Sequence, residues 1–433
     1  MKFLILAVAS VAMSAAALLV SPSAVANNSL KAPMSSVMPH YDLEMTGQEY
    51  RQVFENPSAQ IKISSLSLAN LQDILQVGKR NLDWLKLINA SRKDKLSLST
   101  EATQQGYPMD QPREYNPTLI RASFNNLKTA MPTALSAVIF GTGALPTTLP
   151  VTDEEYIEWG LKTDRVYQIA ARWLTMEPYL GQLRMRQFED IRGFYFLSQM
   201  KDRKDKFSDF KSLPAAEQEQ MRVWLVQMCM NARQARATCK TKVEGMISGA
   251  KTAAELEKFF ADYSPYGQSL WDELMLIPSN GKFPDVRWNG DTDVRIPFRP
   301  VTDPAIANYL TKNLQEEWQF GKAFNLYVDF SLSSSDAVFV TWQPGVTPHV
   351  PYLGASEMVM DSNAPISEYD VQWTIRHEFG HVLGLPDCYV EFYNEDTQSI
   401  ISYQLDTTDL MCSRRGHINQ RHLDELRANY STK

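Results

Sequence analysis

His377 and His381 stand four residues apart in a stretch, about 370 to 383, whose pattern predicts a helix. Their rings therefore lie on one helix face, close enough to share a single metal ion. Gly384 follows three residues after the second histidine and Asp387 three after that, giving His-Glu-x-x-His-x-x-Gly-x-x-Asp. A glycine at that point lets the backbone leave the helix with positive φ, so the chain can turn back and bring Asp387 to the same ion. Two imidazoles and one carboxylate leave a tetrahedral ion with an open position, the pattern of a catalytic zinc site rather than a structural one. Glu378, beside the first histidine, is then placed to act as general base on a metal-activated water. The plainer alternative, satisfied histidines on a helix that ends at a glycine cap, is outweighed by the length of the pattern.

The remaining chemistry is narrowed by charge and by the first residues. Forty-three basic against 50 acidic residues give a net charge of −7, with no basic cluster, so nucleic acid is not an expected partner. Lys2, the apolar run Phe3 to Val20 and the small residues Ala24-Val25-Ala26 make residues 1–26 a secretory signal peptide. The mature protein is expected to be exported, secreted or periplasmic. No later stretch reaches the roughly 18 continuous apolar residues a membrane span needs, so no stable span is expected after signal cleavage. The sequence does not disclose an oligomeric state.

From Ser65 the leucines at 68, 71, 75, 82 and 85 recur at helical spacing, and residues from about 65 to 265 read as helical. Thr152 with Glu155 is a capping box opening a long helix that Pro178 stops or kinks; Thr252 with Glu255 is read as another, opening a helix to about Tyr263. The turn-rich segment 278–292 is the best boundary. Beyond it the sequence predicts strands at Asp293–Phe298, Leu326–Phe330, Ala337–Trp342 and Ser356–Met360. It also predicts helices from Asp303 and Asp370, then an irregular stretch, then a last helix from Asn419. The fold class expected is α+β: a helical N-terminal domain, residues 27–280, followed by a small α/β catalytic domain, residues 281–433. Four cysteines in an exported chain suggest two disulfides. Of the three connectivities, local pairing is the simplest. A continuous helix would hold Cys229 and Cys239 roughly 15 Å apart, so pairing requires a break between them, expected near Ala237-Thr238.

His377 to Asp387 resembles the metzincin clan of zinc endopeptidases, in the snapalysin-like variant with aspartate as third ligand. The order of elements from Asp293 onward is similar, and Asp409-Leu410-Met411-Cys412 fits the clan's methionine turn. Residues 27–280 resemble no recognised family. The resemblance implies zinc held by His377, His381 and Asp387, Glu378 as general base, and a protein or peptide substrate bound as an added strand, with Ser356 to Met360 the candidate edge. Some members carry a tyrosine two residues past the methionine; here that position is Ser413, so the oxyanion-stabilising group is unassigned. Tyr389, Tyr403, His349, His417 and Arg414 are the candidates. Cys388 follows the third ligand and Cys412 follows the methionine, so a disulfide between them would clamp the ligand loop to the turn.

The expected function is an exported zinc-dependent endopeptidase. A non-catalytic zinc-containing binding protein is the alternative from another class, and a zinc enzyme with Glu391 or Glu395 as third ligand is a further one. Residues 27–280 are read as a permanent domain. A removable inhibitor would need a donor within them that reaches the metal.

Overall fold

In the N-terminal half, apolar residues at three- and four-residue spacing form helices, which bury their apolar faces against one another. The computed structural model describes residues 41–55, 65–98 and 106–431; the expected signal peptide lies outside the described residues. The first group comprises α1 (Gly47–Glu55), α2 (Ser65–Ala90), β1 (Arg113–Tyr115), α3 (Pro117–Ala130), α4 (Thr133–Ile139) and α5 (Asp153–Met176). Its core includes Tyr50, Trp84, Leu135 and Tyr156. Thr152 caps α5 as expected, its hydroxyl accepting from Glu155 N at 3.2 Å, and the helix stops just before Pro178.

The second group is α6 (Leu180–Met185), α7 (Arg192–Gln199), α8 (Arg203–Ser208), α9 (Ala215–Asn231), α10 (Arg236–Ser248) and α11 (Thr252–Met275). Cys229 and Cys239 stand at disulfide distance, Cα atoms 5.7 Å apart. The helix does break between them, but at residues 232–235, where Arg233 takes φ of 58°; Ala237 and Thr238 lie inside α10. Thr252 is not a cap. Its hydroxyl is turned back to the carbonyls of Ile247 and Gly249, because the side chain is buried. Pro265 does not end α11 either. The helix runs on to Met275, with Gly267 packed so closely on the Phe194 ring that a Cβ would overlap it. Packing here outweighs the lost hydrogen bond of a proline inside a helix.

The third group is β2 (Arg287–Asn289), β3 (Asp293–Pro297), α12 (Pro304–Glu317), β4 (Gln319–Phe320), β5 (Phe324–Asp329), β6 (Phe339–Gln343), β7 (Glu357–Asp361), α13 (Tyr369–Val382), β8 (Tyr389–Asn394), β9 (Ser399–Gln404) and α14 (Gln420–Tyr430). Strands β3 and β5 are parallel, as are β6 and β7, and a parallel bridge from Phe298 to Val338 joins the two pairs. Val359 in β7 exchanges both backbone hydrogen bonds with His349, at 3.0 and 2.9 Å. The segment expected to be an open substrate edge is therefore occupied at its centre, and His349 belongs to an antiparallel bridge rather than a free loop.

The stretch after α13, expected to be irregular, is the hairpin β8–β9. Its third strand is β1, from within the region expected to be wholly helical: Arg113 pairs with Ser402 and Tyr115 with Ile400. The chain is thus mixed α and β, with a helical region and small sheets. Among the described residues no helix is long and apolar enough to cross a membrane.

Buried polar contacts fasten the hairpin to the helices. Arg172 of α5 meets Glu391 of β8 at 2.6 Å, both side chains at most 3% exposed, and Tyr115 donates to the same carboxylate at 2.6 Å. Burial opposes ionisation of Glu391, but the Arg172 guanidinium more than offsets it and keeps its carboxyl below the usual range. Tyr403 of β9 donates to Asp190 at 3.0 Å and accepts from Ile191 N. Removing one member of a buried ion pair strands the other, so Arg172→Met should destabilise the fold by about 3–5 kcal/mol. Chemical denaturation of the mature chain checks this; a loss under about 1 kcal/mol, the range of surface pairs, would refute it.

Candidate metal centre

Trp373, His377 and His381 follow one another at four-residue intervals on α13 and share its buried face. The helix ends where Gly384 adopts φ of 86°, as the motif requires. A Cβ at this residue would also run into the carbonyl of Gly281, so glycine is demanded twice. After the turn, the Leu385 carbonyl accepts from His381 Nδ1 at 2.8 Å, and the Leu410 carbonyl accepts from His377 Nδ1 at 3.1 Å. With both Nδ1 atoms donating, both Nε2 atoms keep a lone pair available to a metal.

Those Nε2 atoms converge on Asp387. Its Oδ1 lies 3.2 Å from His377 Nε2 and 3.4 Å from His381 Nε2, and the three ligand atoms all fall within 4.8 Å of one another. Glu378 is buried beside them. Burial alone would lower the His377 pKa. Its hydrogen bond to Asp387 and the charges of Asp42, Asp387 and Glu378 outweigh this and push it up to about 10. The converging His377, His381 and Asp387 form a nitrogen–carboxylate donor set that fits a divalent cation such as zinc.

Met411 is fully buried and lies against Gly380, between the two histidines; a Cβ on that glycine would overlap its sulfur. The turn is held from both sides. Asp409 Oδ1 accepts from Met411 N at 2.8 Å, and Met411 O accepts from Cys388 N at 3.2 Å. Cys388 and Cys412 stand at disulfide distance, Cα atoms 4.6 Å apart, so the ligand loop and the turn are cross-braced where the sequence placed the clamp.

The oxyanion candidates separate cleanly. Tyr403 is committed to Asp190, His417 to Glu317, Arg414 to Glu49 and Asp370, and His349 to Val359 and the Thr347 carbonyl. Tyr389 differs: its buried hydroxyl has no hydrogen-bond partner. Burial, together with the nearby Asp387 and Asp42 carboxylates, holds that hydroxyl well above its usual pKa, so it remains a donor. Of the alternative third ligands, Glu391 is spent on Arg172 and Tyr115, and Glu395 pairs with Arg184 at half-exposed side chains.

One residue at the centre carries no sequence signal. Asp42 Oδ1 lies 3.9 Å from His377 Nε2, and Asp42, His377 and Glu378 form a second cluster of possible ligand atoms. Its segment is held by backbone contacts: Arg172 donates to Asp42 O at 2.8 Å and Arg113 to Leu43 O at 3.2 Å. A solitary aspartate at the far end of the chain can be placed here only by the tertiary structure. The chain matches no protein-family model, no curated protein and no solved structure.

Asp387→Ala should weaken zinc binding by more than about 100-fold, beyond the usual effect of residues that merely support ligands. Asp387→His should retain part of the affinity. Competition with a chromophoric chelator measures both; parental affinity in Asp387→Ala would remove Asp387 from the ligand set.

Proposed function

We propose that the chain is an exported zinc-dependent endopeptidase with a metzincin-like centre. The observation that carries this reading is the convergence of His377, His381 and Asp387 within 4.8 Å, with Glu378 buried alongside. Support also comes from the parallel strands ahead of α13, the positive φ of Gly384 and the packing of Met411 beneath Gly380.

In this reading His377, His381 and Asp387 hold zinc, which supplies Lewis-acid activation of water and polarisation of the scissile carbonyl. Glu378 takes the proton of the attacking water and delivers it to the departing amine. Tyr389 donates its hydroxyl proton in a hydrogen bond to the carbonyl oxygen as negative charge develops there. Extended substrate adds along the sheet edge formed by the His349 segment, since β7 itself is already paired.

Asp42 bears on a second reading. A fourth donor at the histidine pair favours a closed, non-catalytic zinc centre, and it also meets the requirement for a donor within residues 27–280. Against removal of that whole region stands its construction: β1, Arg172 and Asp190 complete the hairpin that follows the third ligand. The reading that satisfies both sets of contacts is a permanent helical region whose segment around Asp42 crowds the water position and restrains hydrolysis.

Glu378→Gln should keep its fold and zinc but lose at least about 100-fold in turnover, the lower range for loss of a general base. Chelator-sensitive cleavage of a diverse peptide library, read by mass spectrometry, is the assay; parental turnover would end the mechanism. In the same assay Asp42→Ala should cleave several-fold faster than the parent at equal zinc content. If neither parent nor Asp42→Ala hydrolyses any peptide while both hold zinc, the non-catalytic reading stands instead.

A further inference from the structure

Arg414 follows the methionine turn and is fully buried, a place where a guanidinium is retained only if it is surrounded by partners. Its Nη2 lies 2.8 Å from both carboxylate oxygens of Glu49 on α1, and its Nη1 lies 3.2 Å from Asp370 at the start of α13. Asp42 Oδ2 is 3.9 Å from Nη2. The backbone is gripped as well: Glu44 accepts from Arg414 N at 2.8 Å, and Tyr369 donates to Arg414 O at 2.7 Å. The guanidinium carbon sits 4.8 Å from the centroid of Trp373, and Trp373 in turn stacks on His377, centroids 4.8 Å apart and planes 27° from parallel.

We propose that Arg414 is a positioning residue for the first metal ligand: through Trp373 it fixes the plane of the His377 ring, and through Glu49 and Asp42 it makes that plane depend on the docked N-terminal segment. This rests on the reading of His377 as a metal ligand. The imidazole is otherwise held only at its two nitrogens, Nδ1 by the Leu410 carbonyl and Nε2 by Asp387, contacts at the ring edge that leave the tilt of the ring plane unchecked. The Trp373 indole nitrogen has no hydrogen-bond partner, so the indole's orientation comes from its ring contacts. A cation near its ring and an imidazole stacked on it supply that orientation. Lysine cannot replace arginine here, because it lacks the planar fork that meets Glu49 through Nη2 and Asp370 through Nη1.

The experiment uses the full mature chain with Arg414→Lys, Trp373→Leu and Glu49→Gln, and Arg192→Lys as a control. Arg192 belongs to another largely buried ion pair, with Asp190, and has no part in the Trp373 stack. Zinc affinity is measured by chelator competition at a temperature where circular dichroism shows each variant folded. Arg414→Lys and Trp373→Leu should each lose about 10- to 100-fold, the range for groups that orient a ligand, and the double variant should be no weaker than the worse single one. Glu49→Gln should weaken binding in the same direction, and Arg192→Lys should not. A second readout needs no metal. In histidine-labelled apoprotein the His377 ring protons, assigned with His377→Gln, should show an upfield shift from Trp373 that Arg414→Lys and Glu49→Gln reduce. Zinc affinity within twofold of the parent together with an unmoved His377 resonance in these variants overturns the proposal. If the parent itself binds no zinc, the peptidase reading fails, and the apoprotein resonance alone decides whether Arg414 orients His377. Should Arg414→Lys not fold, Glu49→Gln and Trp373→Leu carry the same two readouts.

Discussion

Carboxylates repel one another, and gathering one buried and two partly buried carboxylates around an imidazole pair is unfavourable unless positive charge is drawn in with them. Asp42, Glu378 and Asp387 create that condition at His377 and His381. Much of the surrounding structure can be understood as a response to it. The carbonyls of Leu385 and Leu410 turn both imidazoles so that their lone pairs face the excess charge. Arg414 places a permanent cation one ring away, and Arg172 grips the backbone of Asp42 while neutralising Glu391. The elements that meet at the centre come from opposite ends of the chain, because no single stretch supplies both the donors and the cations that balance them.

The grouping of residues at the candidate centre was legible in the sequence to the extent that it is local. Histidines four apart, a glycine required at a helix exit and a methionine turn downstream are patterns of a few residues, and the structure brings His377, His381, Asp387 and Met411 together. Trp373 extends the same four-residue spacing by one step, a signal present in the sequence but easily taken for core. Asp42, Glu49 and Arg113 were not legible, since nothing in their own neighbourhoods distinguishes them from surface residues. Strand β1 is only three residues long and exists through pairing with β9, so no periodicity could announce it. The hairpin β8–β9 was missed for another reason. It is buried along nearly its whole length, and strands covered on both faces lose the alternation that marks a half-exposed strand.

Turn chemistry gave mixed guidance. Thr152 and Asp303 cap their helices through backbone N–H groups two or three residues on, because both caps lie where solvent meets the helix start. Thr252 has the same spacing to a glutamate but is buried, and its hydroxyl satisfies carbonyls of the preceding helix instead. The residue pattern was identical; burial decided which hydrogen bonds were worth making.

The contact between Glu44 and Arg414 N closes a loop of 370 residues, and that between Arg113 and Ser402 a loop of 289. At equilibrium such separations cost little more than shorter ones, since the entropy of closure rises only with the logarithm of length. In time they cost a great deal, because distant pairings form slowly. The ribosome releases Asp42, Arg113 and Arg172 long before His377, Ser402 and Glu391, so during synthesis these side chains wait without those partners. His377 lacks its orienting carbonyl until Leu410 has emerged, and Trp373 its cation until Arg414 follows. Assembly of the centre is therefore among the last events in the life of the nascent chain, and a half-made molecule holds none of it in working order.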